Sequence, residues 1–309
     1  MQEKKIPIYN HKSVLVNEVL EQLNIRPHKT YVDVTFGGGG HTTAILEADP
    51  TCKVIAIDWD KKAVELNAPL LEEKYGDRLK VLWGNFATLY LLLKKEKISH
   101  VDGILADFGT SQFQITEKEG FSFLHDTPLD MRMSNAHSYT KASQLIAYAS
   151  EQELTKIFFE YGEEKHSKII AKTIVEQRKT KPILTTKQLA DLIEKLISRT
   201  DYRKTGFKIH PATKVFQALR IVVNHELEHI ETFLKAAPKL LAPHGRLVCI
   251  SFHSLEDRIV KNFLKWNENE LKTVTKKPVV ATPEELLINP SARSAKLRSA
   301  EKLALDVDK

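Results

Sequence analysis

Four consecutive glycines occupy 37–40 in the stretch VDVTFGGGGHTTAIL, a third of the 12 glycines in the chain. Backbone without side chains lets a ligand come close, and a helix starting just beyond it offers unpaired N–H groups. Carboxylates follow at intervals. Asp58 comes 21 residues after Gly37, and Asp107 sits in ADFGTSQFQ, with Gln114 seven residues further on. Near the other end, SFHSLEDR brings Ser251, His253 and Glu256 into one short segment. Glycine loop, spaced acids and a late histidine are parts of a ligand crevice.

The spacing selects among ligands. The dinucleotide fingerprint G-x-G-x-x-G requires a third glycine at 42 or 43, and both positions are threonine. The lysine-bearing loop G-x-x-x-x-G-K-[ST] is absent, so a pyrophosphate is poorly provided for. S-adenosylmethionine has no phosphates. It needs a close backbone for its amino-acid end and an acceptor for its ribose hydroxyls, and Asp58 is a pure acceptor. Trp59 and Phe86 are placed to flank an adenine ring. Asp107 is expected at the same crevice, and the Gln114 amide could address donor or substrate. A Ser-His-acid hydrolase is disfavoured, because no G-x-S-x-G elbow exists and Ser251, His253 and Glu256 fall within one loop or helix start. His41 and His253 form no cluster at metal-ligand spacing, so no metal is expected and orienting or structural roles fit them better.

Such a crevice needs a sheet. YVDVTF (31–36), KVIAID (53–58), KVLWG (80–84) and HVDGILADF (100–108) read as strands, with helices at 61–75 and 86–97 between them. Alternating elements of this kind predict a parallel sheet covered on both faces, a Rossmann-like α/β fold. After residue 112 the period becomes helical. Leu154, Ile157, Phe158 and Tyr161 share a face behind a Ser150/Glu153 capping box, and Leu189, Leu192, Ile193 and Leu196 repeat the arrangement behind Thr185 and Gln188. Residues 113–211 therefore read as a helical insertion in an α/β domain made of 1–112 and 212–309. That domain resumes with a helix started by Pro211 and a strand at 245–252. Residues 267–295 read as a long loop with one short helix begun by Thr282 and Pro283.

The chain has 309 residues, 42% of them hydrophobic, enough for a substantial core. The opening MQEKKIPIYN has no apolar h-region behind it, and runs such as LYLLL are too short to span a bilayer. Two cysteines, Cys52 and Cys249, are too few for a disulfide framework. These features predict a cytoplasmic protein with reduced thiols and no membrane partner. Net charge is +6, but residues 165–220 hold 14 Lys and Arg against 4 Asp and Glu. That concentration points to a polyanion, or else to a solvated helical surface. Lys165, Lys168, Lys172 and Lys179 fall on one face of a predicted helix, with Lys168 and Lys172 the candidate RNA contacts.

Taken together, DVTFGGGGH, IAID, NF, VDGILADFG, GFSF, PLDMRM, YGEE, HPATKVFQALRIVVN, SFHSLEDR and ARSAKLR run almost end to end. In them the chain resembles the bacterial RsmH (MraW) methyltransferases, which methylate the exocyclic N4 of a cytidine in small-subunit ribosomal RNA. The resemblance implies a Rossmann-like S-adenosyl-L-methionine-dependent methyltransferase domain with an inserted helical domain that binds RNA. It implies 16S ribosomal RNA or the small ribosomal subunit as partner, with a target in the decoding region. Donor contacts would fall on Gly39, Gly40, His41, Asp58, Phe86, Asp107 and Gln114. Asp107 is the first candidate to orient the acceptor amine and His253 the second. Asp130 and Arg132 of PLDMRM would either line the crevice or make an ion-paired turn. Gln112, Thr116, Glu119, Lys214 and Ser291 depart from the family pattern, and they bear on the substrate loop and RNA contacts. Two other classes share parts of this reading: a nicotinamide dehydrogenase, and a non-catalytic RNA-binding or ribosome assembly factor.

Overall fold

The computed structural model describes residues 12–109, 118–134, 138–197 and 210–304. The chain divides into an α/β unit, Met1–Gly109 with Leu227–Lys309, and a helical unit, Thr110–Glu226.

The α/β unit is built on seven strands: β1 (Thr30–Asp33), β2 (Lys53–Asp58), β3 (Leu79–Trp83), β4 (Val101–Asp107), β5 (Leu241–Ser251), β6 (Leu271–Thr273) and β7 (Lys296–Lys302). Their order is β3-β2-β1-β4-β5-β7-β6. The first five are parallel, β7 runs antiparallel to β5, and β6 runs antiparallel to β7. Val32 of β1 registers with Ile55 on one side and Ile104 on the other. Chain order reverses between β1 and β4, and at such a switch point a crevice opens beyond the carboxyl ends of the strands. Five of the six β2 residues are buried, which is why KVIAID carries no alternation.

Helices α1 (Val16–Leu23), α2 (Gly40–Ala48), α3 (Lys61–Tyr75) and α4 (Leu89–Lys95) belong to the first half of the unit. Two buried clusters share its interior. One joins Ile57, Leu89, Ile104 and Phe233; the other joins Tyr31, Ile45, Val54 and Leu105.

The helical unit contains α5 (Ala142–Tyr148), α6 (Glu151–Glu160), α7 (Ser167–Thr180), α8 (Thr186–Leu196) and α9 (Thr213–Asn224). Both expected capping boxes form, Ser150 with Glu153 and Thr185 with Gln188. Leu154, Phe158, Ile174, Leu189, Ile193 and Leu219 make its core. Two details differ from the sequence expectation. Residues Val215, Phe216, Leu219 and Val223 of α9 pack into that same core, so the unit runs to Glu226 and not to 211. Pro211 stands in the turn ahead of α9, which begins at Thr213.

The chain returns to the α/β unit through α10 (Glu226–Leu240), α11 (Ser254–Trp266) and α12 (Pro283–Ile288). Thr282 caps α12, its hydroxyl accepting from Glu285 N. The expected loop at 267–295 contains β6, and β7 follows it, beginning with the last three residues of ARSAKLR. The β7 signal is hidden by Arg298, only 8% exposed, whose guanidinium meets Asp257 at 2.7 and 3.3 Å. A buried charge tolerated by its partner looks, in sequence, like a loop residue. Among the described residues no helix is long and apolar enough to cross a membrane.

Candidate active site

The glycine run connects β1 to α2 and is pinned from three sides. Val34 N donates to Leu105 O and Phe36 N to Ile57 O, each at 2.9 Å. From α3, Asn67 Nδ2 donates to Gly37 O at 3.0 Å. The four glycines have different reasons. Gly39 has φ +78°, and a Cβ there would lie 2.3 Å from Leu71 Cδ1; a Cβ on Gly40 would lie 2.2 Å from Ser13 Oγ. Both are demanded by packing within the unit. A Cβ on Gly38 would meet nothing within 4 Å, so this is the position where bare backbone faces open space. Gly39 is the N-cap of α2, and the N–H groups of the first turn that begins at Gly40 lack intrahelical acceptors.

Acids surround this loop. Asp58, at the end of β2 and 8% exposed, accepts from Gly37 N at 2.7 Å and from Asp60 N at 2.8 Å. Burial pushes its carboxyl up to about 6, against the pull of those two N–H groups. One oxygen therefore serves each backbone donor, and each retains a lone pair for a ribose hydroxyl. Asp33 is fully buried, accepting from Thr35 N and from Thr42 Oγ1. Thr35 Oγ1 in turn accepts from Asp107 N at 2.8 Å. This Asp33–Thr35 relay ties the ends of β1 and β4 together, and the sequence reading passed over it.

Asp107 ends β4 at the switch point. Its Oδ1 is buried without a hydrogen-bond partner. Burial pushes the carboxyl up to about 7; His41 opposes the shift, while Asp33 and Glu256 add to it. An unsatisfied buried carboxylate oxygen is costly, and at a crevice it is a place prepared for a donor from outside.

The histidines are fixed by their partners. His41 Nε2 donates to the Val14 carbonyl at 2.8 Å, leaving Nδ1 facing Asp107 Oδ2 at 3.8 Å. His253 is the N-cap of α11: Nδ1 accepts from Glu256 N at 3.4 Å, and Glu256 Oε2 accepts from Phe252 N at 2.7 Å and His253 N at 3.3 Å. His253 is thus engaged as a helix cap beside the crevice, with Nε2 3.3 Å from Glu256 Oε1. A third histidine, His229 of α10, sits edge-on to Trp59 with centroids 5.5 Å apart and within 3.3 Å of Asn85 Nδ2. Only the fold brings this residue to the site.

Trp59 and Phe86 do not sandwich a ring. Their centroids are 6.1 Å apart at 47°, in direct contact, and Phe86 also packs on Phe108 at 5.9 Å. An inserted adenine would need parallel faces about twice one stacking distance apart, and these two rings pack on each other instead. Gln114, Gln112 and Thr116 lie outside the described residues.

In the helical unit, Asp130 and Arg132 form a bidentate pair at 2.6 and 2.9 Å, joined by Lys141 at 3.2 Å. Asn224 clamps this turn by donating to Met131 O and accepting from Met133 N. PLDMRM is therefore an ion-paired turn. Lys168 and Lys172 are exposed on α7, with Lys172 3.9 Å from Glu176. Lys165 precedes the helix, and Arg178 turns inward to the Ile146 carbonyl at 2.7 Å.

The residues fit S-adenosyl-L-methionine on the structure's own terms. Gly38 leaves room for a close approach, Asp58 retains acceptor capacity, and the unpartnered Asp107 oxygen lies among buried acids that suit a cationic sulfonium. The chain is 50% identical to "Ribosomal RNA small subunit methyltransferase H" of Nostoc punctiforme, over 96% of this chain and 95% of that one. It is 48% identical to the protein of the same name from a second Nostoc, over 96% and 94%. Among solved structures, TrmN from Thermus thermophilus overlaps at a TM-score of 0.44 with 14% identity, over 94% of this chain and 48% of that one. The model of the MraW methylase family matches residues 8–303. The chain belongs to the MraW methylase family, and S-adenosyl-L-methionine is its cofactor.

Proposed function

We propose that this methyltransferase acts on the exocyclic N4 of a cytidine in the decoding region of 16S ribosomal RNA. The names of its relatives support small-subunit ribosomal RNA as the substrate class. The observation that carries the choice of an amine is Asp107, whose buried Oδ1 has no partner at the strand end where a base would meet the donor.

Cytosine N4 is a weak nucleophile because its lone pair is delocalised into the ring. S-adenosyl-L-methionine supplies an already activated methyl group, so the protein's work is alignment and exclusion of water. Asp107 as carboxylate accepts one N4–H, draws the lone pair toward nitrogen and holds it in line. With the methyl group delivered to N4, the N4 proton would pass to Asp107, then to water. A carboxyl pushed up to about 7 suits this exchange near neutral pH. Asp33 and Thr35 keep it in place from behind, and Asp58 with the glycine loop holds the donor. Lys168 and Lys172 of the helical unit meet RNA phosphates.

Mass spectrometry of 16S ribosomal RNA nucleosides tests this reading. Cells lacking the protein are expected to lose one N4-methylated cytidine signal, restored by the wild type and not by Asp107→Asn. Retention of that signal in the deletion strain overturns the assignment.

A further inference from the structure

We propose that a basic groove at the amino ends of β1, β2, β3 and β4 anchors the phosphate backbone of the RNA substrate, remote from the methyl-transfer crevice. The inference rests on the reading that RNA is the substrate. The groove has a volume of about 430 Å³. Thr30, Lys53, Arg78, Lys80, Lys97 and His100 line it, with Asp77 the acid among its lining residues.

The basic residues come from three strand starts, those of β2, β3 and β4, while β1 contributes Thr30. Lys53 is the first residue of β2 and Lys80 the second of β3. Lys97 and His100 belong to the turn that enters β4, where Lys97 takes φ +61° and Ile98 N donates to Leu93 O at 2.9 Å. Arg78 is fixed as a floor, its NH1 donating to Leu46 O at 3.0 Å and Asp49 O at 3.1 Å. Lys80 is shared with Glu96. Among the described residues, Lys53, Lys97 and His100 make no ion pair, and all three are exposed.

Shape and spacing select the ligand. Four adjacent strands span about 14 Å at the usual interstrand distance. A row of cations that long matches successive phosphates of a chain better than one small anion. Lys53 lies five residues before Asp58 along β2, roughly 17 Å at the usual rise per residue. A contact so far from the crevice gives hold without reading bases.

The test compares the wild type with Lys53→Gln/Lys97→Gln, whose positions lie outside the donor and methyl-transfer machinery. Methyl transfer to purified small ribosomal particles is followed across salt concentrations, with donor affinity and thermal midpoint as controls. Losing two phosphate contacts should raise KM for the particle about fivefold to tenfold and flatten the log–log salt slope by about one to two units. kcat, donor affinity and thermal midpoint should stay as in the wild type, and Lys53→Arg/Lys97→Arg should restore KM. Unchanged KM and slope overturn the inference and mean solvated lysines. A separate arm titrates inorganic tripolyphosphate; binding lost in the double Gln variant while KM for the particle is unchanged also overturns it, assigning the groove to small phosphates. If the wild type itself fails to methylate N4 while the variant loses salt-dependent RNA binding, the proposed reaction fails and the groove stands.

Discussion

The two ends of one parallel sheet are opposites in charge and wetness. At the carboxyl ends, Asp33, Asp58 and Glu256 are at most 8% exposed, and Asp107 has a buried, unpartnered oxygen. At the amino ends, Lys53, Lys80, Lys97 and His100 are exposed around a groove. The connectivity that builds the sheet also polarises it. Each helix that follows a strand starts at the carboxyl end and presents a positive N-terminus there; each one finishes near the amino end and presents a negative C-terminus. Thus α2 starts at Gly40 beside the acids, while α3 and α4 finish with Lys74, Lys94 and Lys95 in their last turns. The side chains are set against that dipole: buried acids answer the positive helix starts and suit a small cationic donor with hydroxyls, while lysines answer the negative helix ends and suit a polyanion.

The contrast is broken most severely at Asp107. Asp107→Asn keeps the shape and replaces an acceptor oxygen with a donor. Single-turnover methyl transfer should fall by roughly 10²–10⁴, the usual worth of a positioned acid or base; a wild-type rate would remove Asp107 from the reaction.

Next come the donor contacts. Asp58→Ala should lose at least about tenfold in donor affinity by calorimetry, taking roughly 1.5–3 kcal/mol for hydrogen bonds to a charged group. The glycines sharpen this. Gly38→Ala places a methyl in open space, so thermal stability should hold while donor binding weakens. Gly39→Ala should instead lower the thermal midpoint, because φ is +78° and Leu71 occupies the room. Equal effects from both substitutions would erase the distinction between packing glycine and ligand glycine.

A pH series separates the two acids. Burial raises Asp58 to about 6 and Asp107 to about 7, from the 3.8 usual for an aspartate. Both hold a proton more tightly folded than unfolded. Their contribution to donor-free stability is therefore complete below about 4 and is lost as pH rises through about 6 and 7. Function runs the other way, because both roles need the carboxylate. Donor affinity should rise through about 6 and single-turnover rate through about 7; flat profiles over pH 5–8 would show that these groups ionise elsewhere.

The smallest effect belongs to the helical unit. Lys168→Ala/Lys172→Ala should flatten the salt slope of RNA binding by about one to two units without touching donor affinity. The lower figure is expected if Glu176, 3.9 Å from Lys172, already neutralises part of that charge. A wild-type slope would mean that this face is only a solvated surface.

Much of the fold was legible because its signals are local. Strands β1 to β4 are short apolar runs, and capping boxes at Ser150 and Thr185 depend on residues three apart. Misreadings came where a partner distant in sequence decides. Arg298 can be buried in β7 only because Asp257, 41 residues earlier, pairs with it. The pairing of Trp59 with Phe86 and the arrival of His229 depend on how β2, β3 and α10 meet.

By itself the sequence determined the class of ligand, since failed glycine registers and an acid 21 residues on are statements about types and spacing. It likewise determined that a helical segment interrupts an α/β domain, because the apolar period changes from strand to helix. Tertiary structure alone decided which glycine faces open space and which are held by Leu71 and Ser13. It alone left Asp107 with an unpartnered oxygen. Both depend on which atoms stand nearby, and burial and spare hydrogen-bonding capacity are properties of neighbours that a chain acquires only when it folds.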